Sequence, residues 1–226
     1  MKTLSERLKR IIEFAGKCAV VADIGTDHAL VPVYMIECGH CSRAYACDIR
    51  DMPLKRAEQY VVLHGLSDRI SVFISDGLEN VPQDADTVII AGMGGELIKD
   101  IIDRDKAHVN SVFILQPMTS ADKLRKYLYE NGFEILDEEI VAEHSDKKLY
   151  SIMKVIREEK AIKYSYIDTL VSPVLRSKDS IEKRLYIEKM IFARKKILED
   201  IKNASYTDER YIFKIKSEIK DLEECI

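Results

Sequence analysis

Apolar residues recur at Leu4, Leu8, Ile11 and Ile12 with charges between them, the three-to-four spacing of an amphipathic helix. The spacing predicts a helix over 4–14, capped by Thr3 or Ser5 and ended by Gly16. The period then changes. Residues 19–23 form an apolar run that closes on an acid, Asp23, and reads as a buried strand. A second helical stretch covers 29–38, with Pro32 in its first turn, where proline is tolerated. The alternation continues with a strand at 43–48, a helix at 53–64, and strands at 70–75, 87–91 and 111–115. A helix over 122–131 follows, with Leu124, Tyr127 and Leu128 on one face and Gly132 just past its end. Two strands, 133–142 and 149–156, joined through 144–147, close the series as a hairpin. Seven strands interleaved with helices predict an α/β, Rossmann-like fold with a mostly parallel sheet and an antiparallel edge.

The pattern changes after Arg157. Residues 162–173 read as irregular and carry Tyr164 and Tyr166. Residues 180–201 are strongly helical, with Ile187, Ile191, Leu198 and Ile201 in a stripe, and 203–207 break the helix. Ile212, Ile215, Ile219, Leu222 and Ile226 then follow at intervals of three, four, three and four, the seam of a coiled coil. The expected organisation is a sheet domain over 1–156 and an antiparallel, coiled-coil-like helical hairpin over 157–226.

The candidate chemistry gathers at strand ends. Val20 to Asp23 runs into Ile24-Gly25-Thr26-Asp27-His28-Ala29, a strand, a tight turn and a helix start. Ligands bind at this place in open α/β sheets, and Gly25 lets the backbone approach one closely. The dinucleotide spacing G-x-G-x-x-G is absent, because Asp27 and Ala29 stand where further glycines would. A carboxylate at Asp27 repels a diphosphate but tolerates a positively charged ligand. S-adenosylmethionine has a sulfonium, an ammonium and no phosphate. The plainer alternative makes Asp27 a helix cap. Asp48 ends the second strand, where an acid accepts hydrogen bonds from ribose hydroxyls, or else caps the next helix. Asp76 and Gly77 follow the third strand and suit an adenine contact, or else a plain Asp-Gly turn. Ala91-Gly92-Met93-Gly94-Gly95 follows the fourth strand with more glycine than turning requires, which suggests close approach of backbone to a bulky group. Met93 reads as a pocket wall rather than a reactive group.

Composition narrows the classes. With 226 residues and 46% hydrophobic content, the chain can bury one full domain with a smaller appendage. A net charge of -4 does not mark a nucleic-acid binder, although 157–226 holds 16 Lys and Arg against 14 Asp and Glu. No apolar run is long enough to span a bilayer and the start reads as a helix, so the expectation is a cytoplasmic protein with no membrane partner. Cys38 and Cys41 have a C-x-x-C spacing, but a zinc site needs a second pair. The five cysteines read as reduced thiols, and no metal is expected.

Taken together, Leu4-Ser5-Glu6-Arg7-Leu8, the DIGTDHA run, Asp48, Pro53-Leu54, Asp76-Gly77-Leu78, Ala91 to Gly95 and Gln116-Pro117 resemble the bacterial tRNA (adenine-22-N1)-methyltransferases, the TrmK family. The likeness spans most of 1–156 and departs at Met52, where the family usually has glycine, and at Tyr60, where it often has asparagine. It implies methyl transfer from S-adenosylmethionine to N1 of an adenosine in the D-arm region of tRNA. A monomer is the separate expectation. Carried over, Asp23, Gly25, Asp27 and His28 surround the methionine moiety, Asp48 holds the ribose, and Asp76 with Gly77 holds the adenine. The segment 92–95, with Gly92 and Met93, receives the target base. The carbonyls of Ala91 and Gly92 and the side chain of Asp27 then face the cationic product, and His28 orients the base or the cofactor carboxylate or else caps the helix. For RNA, the candidate phosphate contacts are Arg7, or else a surface salt bridge there, and the basic face of the tail, or else a plain solvated face: Lys183, Arg184, Lys189, Arg194, Lys195 and Lys196. Two rival readings remain: a methyltransferase for a protein or small molecule, and a non-enzymatic scaffold.

Overall fold

Strand β1 (Val20–Ile24) alternates its side chains between two helical layers. Val20, Ala22 and Ile24 enter one apolar cluster, and Val21 enters the other. The computed structural model describes residues 4–143, 148–158, 160, 162–202 and 208–226. Thr3, the turn at 144–147 and the break at 203–207 lie outside the described residues.

The sheet has seven strands in the order β3-β2-β1-β4-β5-β7-β6. The others are β2 (Arg43–Asp48), β3 (Ile70–Ile74), β4 (Thr87–Gly94), β5 (Val112–Thr119), β6 (Phe133–Glu143) and β7 (Lys148–Arg157). The first five pair in parallel, while β7 pairs antiparallel with both β5 and β6. This is the Rossmann-like sheet with an antiparallel edge that the alternation of periods predicts. Helices α1 (Glu6–Ala15), α2 (Leu30–Glu37) and α3 (Asp51–Leu63) cover the face that Val21 points to. Helices α4 (Gly95–Arg104) and α5 (Ala121–Glu130) cover the other. Ser5 caps α1, its hydroxyl accepting from Leu8 N–H at 3.3 Å.

Three stretches differ from the sequence reading. Helix α4 stands in a stretch given no helix, because Gly94 and Gly95 hide its start although Ile98, Ile101 and Ile102 have helical spacing. Strand β4 continues to Gly94 rather than ending at Ala91, and β5 follows it to Thr119. Two short helices, α6 (Tyr166–Leu170) and α7 (Pro173–Arg176), occupy the stretch read as irregular, each opened by a serine cap.

The tail packs against the hairpin edge of the sheet. Helices α8 (Ile181–Lys202) and α9 (Glu209–Glu223) join Leu170, Leu175 and Ile140 of β6 in one apolar cluster. Among the described residues, no helix is long and apolar enough to cross a membrane.

Candidate active site

A cleft of about 810 Å³ opens at the carboxyl end of the sheet, lined by Arg7, Asp23, Gly25, Asp27, Ala91 and Gly92 among others. Its size is within the roughly 300–1,000 Å³ of small-molecule sites. Strand alternation explains what points into it. Asp23 shares a face with Val21 of β1, and Ala91 shares one with Ile89 of β4. Gln116 shares a face with Ile114 of β5, on the same side. Three neighbouring strands thus end by aiming a residue toward the layer of α1 to α3.

The Asp23 carboxyl is buried at the cleft floor, and that burial raises its pKa to about 6. The carboxylates of Asp27 and Asp48 push it in the same direction. Next to it the chain turns at Gly25, with φ +74°. The N–H groups of Gly25 and Thr26 both donate to Cys47 O, at 2.8 and 2.9 Å, which ties the end of β1 to β2. The methyl of Met93 lies where a Cβ on Gly25 would stand. Glycine is therefore favoured here by its backbone conformation, and a Cβ would also displace the Met93 methyl.

His28 and Ala29 also adopt left-handed conformations, with φ of 63° and 51°. Such residues store roughly 1–3 kcal/mol each and concentrate at functional sites. Ala29 occupies the cap position of α2 without a side-chain bond, so neither Asp27 nor His28 caps that helix. The Asp27 side chain is 77% exposed at the cleft rim, with Oδ1 3.4 Å from His28 Nε2.

Gly92 changes the face on which its neighbour sits. Strict alternation would put Met93 beside Ala91 on the cleft side. The register of β4 against β5 shifts between Ala91 and Met93, and Gly92 takes φ +78°. This bulge sends Met93 to the opposite face, against the cluster that contains Ile24. Met93 is a wall packed over Gly25, and Gly92 is left exposed in the cleft. The segment read as a base-receiving loop is thus a strand with a bulge.

Gln116 fixes that bulge. Its side chain is fully buried, and Oε1 accepts from Gly92 N–H at 3.1 Å and from Arg7 Nη1 at 2.5 Å. Its Nε2 donates to Pro117 O at 3.0 Å and lies 3.6 Å from Met118 Sδ. The sequence reading noted Gln116 without a role. Its signal was a polar residue ending an apolar strand.

The other expected residues fall around the cleft unequally. Asp48 is buried at the end of β2, and its Oδ1 accepts from Arg50 N at 2.8 Å and Arg50 Nε at 3.2 Å. Arg50 itself occupies the cap position of α3, so Asp48 does not cap that helix. Asp76 is not brought into the cleft. Arg104 of α4 holds both its oxygens at 3.1 Å, which keeps the carboxyl below its ordinary range. Gly77 turns against Ile101 of α4 rather than toward the cleft.

The basic face of the tail is also divided. Lys183 is buried, with Nζ 3.3 Å from Arg176 O, so the phosphate contact expected of it is corrected: a buried ammonium on a carbonyl cannot reach RNA. Arg194 donates to Glu218 Oε2 at 2.7 Å, and Lys195 pairs with Glu223 at 3.1 Å. Arg184 and Lys196 are exposed.

A cleft lined by Asp23, Asp27 and Asp51 together with Arg7, Arg50 and Arg56 suits a ligand that carries both signs of charge. Comparison with known proteins agrees. A family model described as a methyltransferase domain matches residues 4–153. The tRNA (adenine(22)-N(1))-methyltransferase of Bacillus subtilis is 34% identical over 227 residues, covering 97% of this chain and 92% of that protein. The crystal structure of the B. subtilis m1A22 tRNA methyltransferase TrmK covers 100% of both chains at 31% identity, with a TM-score of 0.88. The structure of M. capricolum TrmK in complex with S-adenosyl-homocysteine is 26% identical, covers 98% of this chain and 96% of that one, and has a TM-score of 0.83.

Proposed function

The chain belongs to the tRNA (adenine-22-N1)-methyltransferase family, and on that premise we propose that it transfers a methyl group from S-adenosylmethionine to N1 of adenosine 22 in tRNA. The observation that carries this is the cleft itself: Asp23 buried at its floor, Gly25 turned beneath Met93, and Gly92 exposed at the end of the neighbouring strand. The residues fit the cofactor. Asp23 and Asp27 suit an ammonium, and Gly25 turns the backbone at the cleft edge beneath Met93. Asp48 offers Oδ2, which takes no hydrogen bond from a described residue, to a ribose hydroxyl.

When bound, S-adenosylmethionine supplies an electrophilic methyl on a sulfonium. N1 of adenine carries an in-plane lone pair, so no strong base is needed before attack. The work left to the chain is to position the reactants and to balance charge. The turn at Gly25 and the bulge at Gly92 end two neighbouring strands at the cleft. Gln116 holds that bulge rigid through Gly92 N–H. As the base becomes cationic, the carbonyls of Ala91 and Gly92 supply negative dipoles, and Asp27 at the rim adds a screened charge. His28 then orients Asp27, its nearest acid. Exposed Arg184 and Lys196 serve as phosphate contacts, sensitive to salt and blind to sequence. One chain is the acting unit in this reading.

The test is transfer of tritiated methyl from S-adenosylmethionine to unmodified bulk tRNA, followed by digestion to nucleosides. Label in 1-methyladenosine supports the reading. Label in a protein extract with none in tRNA would favour another acceptor.

A further inference from the structure

The amino end of the sheet, opposite the cleft, brings two thiols together. The ladder between β1 and β2 opens with Val20 opposite Arg43. Two steps earlier on each side stand Cys18 and Cys41. The backbone stays tied there: Cys18 N–H donates to His40 O at 2.9 Å, and Ser42 N–H donates to Ala19 O at 3.1 Å. Arg69 fixes the second segment, donating from Nη2 to Cys41 O at 3.2 Å and from Nε to Ser42 O at 2.9 Å. Both cysteines pack into the apolar cluster of α1 to α3, so their side chains leave the sheet on one face. Adjacent strands lie about 4.8 Å apart, and a disulfide joins Cα atoms roughly 4.4–6.8 Å apart. The backbone therefore presents this pair at bridging distance.

The two sulfurs are chemically unequal. Cys18 is half-buried and Cys41 is buried. The Cys41 thiol donates to the Cys18 sulfur, and the Thr87 hydroxyl donates to it as well. These bonds hold Cys18 below the ordinary thiol range, against its burial and the nearby Asp86 carboxylate. The bond between the thiols, and then burial, hold Cys41 above that range. Cys38 shares the C-x-x-C spacing with Cys41, but it is exposed at the end of α2 and meets Tyr34 instead.

We propose that Cys18 and Cys41 form a dithiol modification site that takes a peroxide as its oxidant and closes reversibly to a disulfide. The Cys18 thiolate attacks one peroxide oxygen and the O–O bond breaks. Cys18 becomes a sulfenic acid, and the departing hydroxide takes up the proton that Cys18 gave up, as water. The Cys41 sulfur then attacks the Cys18 sulfur. The S–S bond forms, the S–O bond breaks, and the hydroxyl leaves with the Cys41 proton as a second water. Two thiols thus lose two electrons and two protons, and one hydrogen peroxide becomes two waters. The bond from Cys41 to Cys18 sets the second sulfur beside the first before either step. The link joins β1 to β2 at the end of the sheet away from Gly25, so it staples the strands without entering the cleft, and it does not rest on the cofactor reading.

The experiment treats the reduced full chain with one equivalent of hydrogen peroxide, alkylates the remaining thiols and maps the digested peptides by mass spectrometry, before and after dithiothreitol. The expected result is a peptide linked through Cys18 and Cys41, alkylation at Cys38, Cys47 and Cys225, and recovery of all five thiols on reduction. In Cys41→Ser, oxidation of Cys18 should stop at the sulfenic acid, captured by dimedone. In Cys18→Ser, Cys41 should give neither a link nor a dimedone adduct. A link between Cys38 and Cys41, or oxidation of Cys38 that leaves Cys18 and Cys41 as free thiols, overturns the proposal. So does a dimedone adduct on Cys41 in Cys18→Ser, which would reverse the two roles. The chain unfolded in urea should scatter its oxidation over the five thiols, and the same selective link there would remove the fold as its cause.

Discussion

Arg125 Nη2 stands 2.5 Å from Glu138 Oε1, and both side chains are fully buried. The remaining donors of Arg125 are used as well. Nε reaches both Glu138 oxygens at 3.1 Å, and Nη1 donates to the carbonyls of Thr169 and Leu170 at 3.1 and 2.9 Å. Ser151 of β7 donates to the same Glu138 oxygen. One ion pair thus joins α5, β6 and β7 to the first helix of the tail. Burial opposes charge at both groups, but their mutual attraction raises the pKa of Arg125 and lowers that of Glu138.

Removing one partner leaves a buried charge unpaired. Arg125→Ala should cost about 3–5 kcal/mol, and a double change to apolar residues of similar volume should cost far less. In a chain of this length the single change lowers Tm by roughly 6–20 °C, measurable by thermal unfolding. A chain cut after residue 160 loses the Thr169 and Leu170 acceptors and uncovers Ile140. Instability of that fragment is the expected outcome, and a fragment as stable as the whole chain would contradict this view of the joint.

The Asp23 carboxyl gives a pH dependence with a definite sign. Its pKa is about 6 in the folded chain against 3.8 ordinarily, so between these values the folded chain holds a proton that the unfolded chain has released. Stability therefore falls as pH rises through this window, and the penalty is complete above it. Asp23→Asn should stabilise the free protein by roughly 2–3 kcal/mol at pH 7.5 and by almost nothing at pH 4. The same substitution should weaken S-adenosylmethionine binding. A cationic ligand favours the ionised acid, so binding near pH 6 should release a proton, seen as a dependence of the calorimetric enthalpy on buffer. Asp23→Asn should abolish that dependence.

Gly25→Ala separates conformation from space. The positive φ costs an alanine about 1 kcal/mol whatever surrounds it. The Met93 methyl adds a collision that a flexible side chain can relieve by moving. Gly25→Ala should lower both Tm and cofactor affinity, and Met93→Ala in the same chain should restore the Tm more than the affinity. Full recovery of affinity in the double variant would place the added methyl outside the ligand's space.

The tail lysines should divide in solution as they do in the structure. Arg184→Glu with Lys196→Glu should weaken tRNA binding and reduce the slope of log K against log salt by about 1–2. Lys183→Ala should instead lower Tm and leave the salt slope unchanged, because its Nζ is spent on Arg176 O.

Much of this was legible in the residue pattern, and the failures share a cause. The strands, their parallel series and the acids at their ends follow from local periodicity and from the turn at Gly25. The extended β4 did not, because Gly92 to Gly95 reads as loop until β5 supplies the ladder partner. The face of Met93 depends on a one-residue register shift that no period reveals. Lys183 has the composition of a surface residue, and only the packing of α7 against α8 buries it. The partner of Asp76 is Arg104, 28 positions away, and that of Gln116 is Arg7, 109 positions away. Long-range polar pairing was the information missing from the linear pattern.

The central claim is that this cleft methylates N1 of adenosine 22 in tRNA. The direct measurement is reverse transcription across an unmodified tRNA transcript after incubation with the protein and S-adenosylmethionine, since a methyl on N1 blocks base pairing. A stop at adenosine 22, absent without cofactor and absent from a transcript carrying guanosine there, is the expected result. Read-through at position 22 with a stop elsewhere, or no stop in a reaction where cofactor binding is established, would contradict it.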